Sequence, residues 1–96
     1  MMTPRPTPAQ IDALIDADRL DEALDATRSL PDSGSDPDLP QLLFLRGKTL
    51  WRLGLRSEAI GAYSRSAALA PGGPATRALE LATEIDSFYN PDIFNP

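Results

Sequence analysis

The chain has no cysteine and no histidine among its 96 residues. Their absence removes disulfides, thiol nucleophiles, the usual zinc ligand sets and the imidazole that serves most often as a general base. Long apolar runs are missing as well. No stretch approaches the roughly 18 apolar residues of a membrane-spanning helix, and MMTPRPTP at the N-terminus has no apolar segment behind its arginine to read as a signal peptide. Aromatic residues are few: three Phe, two Tyr and one Trp. These absences predict a cytoplasmic protein that is not an enzyme and takes no metal and no cofactor. A single domain of this length hides only about 60 to 65% of its unfolded surface, so its core has to be economical.

Charge is plentiful but arranged in blocks. Residues 1–38 carry nine acids and three bases, residues 39–78 one acid (Glu58) and six bases, and residues 79–96 four acids and no base. A basic middle between acidic flanks can be neutralised within one molecule or between copies. Six dispersed bases in a chain of net charge -5 argue against nucleic acid as a partner.

Helical periodicity runs through most of the chain. Residues 1–6 hold Pro4 and Pro6 and read as a disordered lead. Thr7, Pro8 and Gln10 make a helix start, with Thr at the cap and Gln placed to return a hydrogen bond. The first helix then runs from Pro8 to Ala17, with Ile11, Leu14 and Ile15 on its apolar face. Asp18 reads as the break and the next cap, and Leu20, Ala23, Leu24, Thr27 and Leu30 continue at three- and four-residue steps on a second helix. The polar loop 31–39 ends in Asp38, which with Gln41 predicts a second capping box. Helix three is expected over Leu39–Leu53 with Gly54 as its stop, and helix four over Ser57–Ala70 before Pro71, Gly72, Gly73 and Pro74. Helix five opens at Pro74 or Ala75 and carries Ala78, Leu81, Ala82, Ile85, Phe88 and Tyr89 as a stripe. The Gly72-Gly73 pair reads as a turn, since neither a strand before it nor a Lys-Ser/Thr after it supports a phosphate cradle.

Residues 40–71 resemble one tetratricopeptide repeat. Leu43, Arg46, Gly47 and Leu50 fall at the spacing W-x2-L-G-x2-Y, Ala59 and Tyr63 fall at A-x3-F, and Pro71 takes the closing proline. The departures are Leu43 for the first Trp, Leu50 for Tyr, and Arg46 at an apolar position, where a guanidinium must snorkel or find an acid. Glu22-Ala23 recurs as Glu58-Ala59, 36 residues on, so residues 7–30 look like a degenerate terminal repeat with Ile11 for the glycine and Thr27 for the aromatic. The ending FYNPDIFNP is similar to the tails of small bacterial tetratricopeptide proteins. The resemblance implies an all-α fold: about five antiparallel helices in a right-handed helical-hairpin array. Its parts are the hairpin 7–30, the repeat 40–71, a capping helix 74–90 and a tail 91–96, with residues 7–90 as one domain.

A groove beside helix three, used to hold a peptide, is what this fold implies as function. Helical spacing puts Gln41, Phe44, Lys48, Trp51 and Arg52 on the groove side, with the aromatics for apolar contact and the two cations for a carboxylate of an acidic partner. The alternative is that Phe44 and Trp51 are ordinary core. The family's clamp for a C-terminal carboxylate uses Lys and Asn side chains spread over several repeats, and the only asparagines here are Asn90 and Asn95, both in the tail, so that clamp is not carried over. The sequence therefore predicts a scaffold-like protein-binding module. The alternative function is a self-associating structural protein, a homodimer included, whose tail residues Phe88, Tyr89, Ile93 and Phe94 fill its own or a neighbour's groove. The carboxylate pairs Asp12–Asp16 and Asp21–Asp25 read as solvated helix faces rather than catalytic groups.

Overall fold

A computed structural model describes residues 7–28, 30 and 37–89, with side chains described as far as residue 85. Within them the chain forms α1 (Pro8–Asp16), α2 (Leu20–Ala26), α3 (Leu39–Arg52), α4 (Arg56–Leu69) and α5 (Pro74–Tyr89), and no strand occurs among the described residues. The expected lead 1–6, loop residues 31–36 and tail 91–96 lie outside them.

α1 begins as its residues dictate. The Gln10 amide donates to Thr7 Oγ1 at 3.2 Å, and the Thr7 amide donates back to Gln10 Oε1 at 2.9 Å, so two otherwise unpaired amides satisfy each other's side chains. The capping box expected at Asp38 does not form. Asp38 has φ -88° and ψ -10° rather than the extended backbone that aims a cap side chain at the helix amides, and Pro40 in the first turn has no amide to offer.

α2 is shorter than its apolar pattern predicts, ending at Ala26 instead of continuing to Leu30. Thr27 stops it: its hydroxyl donates to the Leu24 carbonyl at 2.8 Å. From α3, the Arg46 guanidinium donates to the Thr27 carbonyl at 3.2 Å and to its hydroxyl oxygen at 3.3 Å. Arg46, whose position the sequence resemblance expects to be apolar, thus finds a helix C-terminus, where the dipole favours a cation, rather than an acid.

The turns after α1 and α3 are the same turn. The Arg19 amide donates to the Leu14 carbonyl at 2.8 Å and the Leu55 amide to the Leu50 carbonyl at 2.9 Å, each closing a Schellman-type helix end. The left-handed position is Asp18 (φ 62°) in one and Gly54 (φ 85°) in the other. The residues that follow, Arg19 and Leu55, share φ near -94° and ψ near 70°. Asp18 is therefore the left-handed end of α1, and the cap position of α2 belongs to Arg19, which makes no side-chain cap bond. Every one of these pairs is 36 residues apart, the interval at which Glu22-Ala23 repeats.

Two apolar clusters hold the helices. Ile11, Ile15, Ala23, Leu42 and Leu45 form the first, and Leu50, Ala59, Ala62, Tyr63 and Ala82 the second. Phe44 packs against both, and its ring centre lies 5.9 Å from that of Tyr63. α3 and α4 make the most extensive helix contact. Gly47 permits it: a Cβ at that position would lie 2.5 Å from the Tyr63 ring. α3 is thus the middle layer, with α1 and α2 on one side of it and α4 on another.

Candidate functional site

α3 carries all five residues expected to meet a partner, and the structure divides them among three places. Gln41, Phe44 and Lys48 come together in a cleft of about 370 Å³ with Pro8, Ala9, Asp12, Leu45 and Pro74. Lys48 Nζ lies 3.3 Å from Asp12 Oδ1 and 5.8 Å from the Phe44 ring centre, so the cation rests on a ring face while α1 supplies the counter-charge. Arg52 points away from this cleft. It donates through Nη1 to the Ile15 carbonyl at 2.8 Å and through Nη2 to Asp18 Oδ1 at 3.1 Å. The carboxylates that Lys48 and Arg52 hold are the chain's own.

Trp51, one helical turn beyond Lys48, lines a second groove of about 230 Å³. Its other walls are Tyr63 of α4 and Ala78, Leu81, Ala82 and Ile85 of α5. Leu81 and Ile85 are 47% and 39% exposed, much as Leu55 and Leu69 are elsewhere, but here the two lie on adjacent turns of one helix beside Trp51 and form one apolar patch. The Arg56 guanidinium sits 5.7 Å from the Trp51 ring centre at the rim. Burial pushes the Tyr63 phenol above its ordinary 10.0, because a phenolate there would lose its hydration. This groove offers apolar surface and aromatic faces, which suit an apolar side chain.

The stripe on α5 was legible as apolar, but its role as a groove wall was not. A signal did exist. Counting Ala75 and Leu79 with Ala78, Leu81, Ala82 and Ile85 gives an apolar arc wider than one neighbouring helix covers. α4 takes the Ala75, Leu79 and Ala82 side, and Leu81 and Ile85 remain in the open. Phe88 and Tyr89 belong to the last turn of α5, with side chains outside the described residues, and Ile93 and Phe94 lie outside them altogether.

Other features have local partners. The Gly72 amide donates to Thr76 Oγ1 at 3.1 Å and the Gly73 amide to the Ala70 carbonyl at 3.2 Å, which closes the turn into α5. Asp12 pairs with Lys48, and Asp25 lies 3.2 Å from Arg28. Among the described residues no group of three acidic, cysteine or histidine side chains is placed to hold a metal ion. No helix among them is long and apolar enough to cross a membrane. Comparison with protein-family models, with curated proteins and with solved structures finds no match for the chain.

Proposed function

We propose that the chain is a cytoplasmic protein-interaction module, a short tetratricopeptide-like array of antiparallel hairpins stacked right-handedly, which holds an apolar segment of a partner protein between Trp51 and α5. The turn geometry repeated at 36 residues supports the array, as does the contact of Gly47 with Tyr63 at two positions of the repeat pattern. The observation that carries the binding role is the exposure of Leu81 and Ile85 beside Trp51, around a groove whose lining is apolar. Water in such a groove is displaced favourably, at about 25 cal/mol for each Å² of apolar surface covered. The separate Lys48–Asp12 cleft over Phe44 lies one turn earlier on α3, and an acidic residue of the partner enters there by replacing Asp12 on Lys48.

Selection of displayed peptides against the wild-type chain and against Leu81→Asp tests this reading. The expected result is enrichment of sequences with two large apolar residues within about one helical turn, lost with Leu81→Asp while far-UV helicity is unchanged. Enrichment that Leu81→Asp leaves intact overturns the groove assignment. So does an absence of enrichment on both the wild-type chain and a chain carrying Ile93→Asp and Phe94→Asp.

A further inference from the structure

We infer that α5 pairs with itself: the apolar segment that covers the Trp51–α5 groove is α5 of a second copy, running antiparallel about a two-fold axis beside Leu81. The inference rests on the reading of that groove as a binding site and names its partner. Arg77 and Glu84 stand seven residues apart on α5, which is two turns, about 10.5 Å along the helix axis and only about 20° around it. Leu81 follows at about 40° from Arg77, and Ile85 at about 80°. All four side chains are exposed. They make one strip, with the two charges along one edge, Leu81 in the middle and Ile85 on the side of Trp51.

Charge selects the occupant of this strip. Neither Arg77 nor Glu84 makes an ion pair among the described residues. A helix with unlike charges two turns apart on one edge is its own complement when reversed. A two-fold axis between Glu80 and Leu81 sets Arg77 of each copy level with Glu84 of the other, so the same contact forms twice. A parallel pair sets Arg77 against Arg77 and Glu84 against Glu84, and like charges in contact oppose it. The antiparallel pair also brings the two Leu81 side chains together at the centre, and each copy covers Leu81 and Ile85 of the other, apolar surface that a lone copy leaves in water. The net charge of -5 on each copy is screened beyond about 8 Å at physiological ionic strength, whereas the edge pairs meet at contact distance.

Sedimentation equilibrium of the full chain at about 0.15 M salt tests this. Emission of Trp51, the only tryptophan in the chain, gives a second reading at the groove itself. The wild type is expected to pass from monomer to dimer as concentration rises, with Trp51 emission moving to shorter wavelength over the same range. Arg77→Glu and Glu84→Arg each put like charges at both edge contacts, and each is expected to raise the dimer dissociation constant about tenfold. Mixing the two single variants, or joining both changes in one chain, restores unlike charges at both contacts and is expected to return the dissociation constant to the wild-type range. Non-specific apolar association gives no such rescue. A wild type that stays monomeric into the millimolar range overturns the inference. So does a dimer that neither swap weakens, which includes one made by exchange of chain ends, and so does a loss that mixing does not restore. Each of these outcomes leaves the groove reading to the display selection, which decides it separately. If either swap lowers far-UV helicity, Arg77→Gln and Glu84→Gln replace them: each must weaken the dimer, and unchanged dissociation overturns the inference.

Discussion

Gly47 and Gly61 both lie inside helices, α3 and α4, and the same change to alanine acts on them in opposite directions. At Gly47 the new methyl meets the Tyr63 ring at 2.5 Å. Overpacking of this kind costs about 1 to 3 kcal/mol, more than the helix-propensity gain of about 1 kcal/mol returns. At Gly61 nothing lies within 4 Å, so Gly61→Ala stabilises by about 0.5 to 1 kcal/mol. Thermal melts of the two variants check this, since about 1 kcal/mol moves the midpoint of so small a domain by roughly 4 to 8 °C. Tyr63 adds a pH dependence. Its phenol is raised above 10.0 in the folded chain, so the folded state holds this proton more tightly than the unfolded state. Its contribution is complete below the unfolded value and is lost as pH rises through the folded one. Urea melts from about pH 9 to about pH 11 are expected to show a steeper loss of stability for the wild type than for Tyr63→Phe.

At the level of elements, α1 and α2 are tied to α3 by three cations from α3. Arg46 reaches the C-terminal end of α2, Lys48 reaches Asp12 of α1, and Arg52 reaches the C-terminal end of α1 and Asp18. The charge blocks of the sequence therefore meet within one molecule in the Asp12–Lys48 and Asp18–Arg52 pairs. Both are partly exposed, the first at 48% and 36% of its side chains, so solvent and salt screen them. A double-mutant cycle of Asp12→Ala and Lys48→Ala, read by urea unfolding, is expected to give a coupling of about 0.2 to 1 kcal/mol that shrinks in about 1 M salt. The block pattern was visible in the sequence, but which acid meets which base was not, because each pair joins residues 34 or more positions apart. The end of α2 likewise depends on a contact distant in sequence. Leu30 continues the apolar period, yet Thr27 stops the helix with help from an arginine that only the tertiary fold brings near.

At the scale of the whole molecule, the described residues form two clusters joined through Phe44 instead of one central core. α1 and α2 have nine and seven residues, too few to stand as helices alone in water, while α3 and α4 have 14 each and share the largest contact. Amide exchange is therefore expected to be slowest in α3 and α4 and faster in α1 and α2, which open together as a unit. Equal protection in all four would show that the two clusters unfold as one. Local rules in the sequence determined the all-helical class, the capping box at Thr7 and the placing of α3 to α5 to within a residue or two, because each depends on side chains near one another along the chain, and the 36-residue interval shows because the same local pattern occurs twice. Only the tertiary structure decided the use of the α3 face. Its cations were drawn to α1 and α2, and Trp51 was left beside Leu81 and Ile85, since packing against α1, α2 and α4 settles which parts of a helix stay open, and those neighbours are distant in sequence.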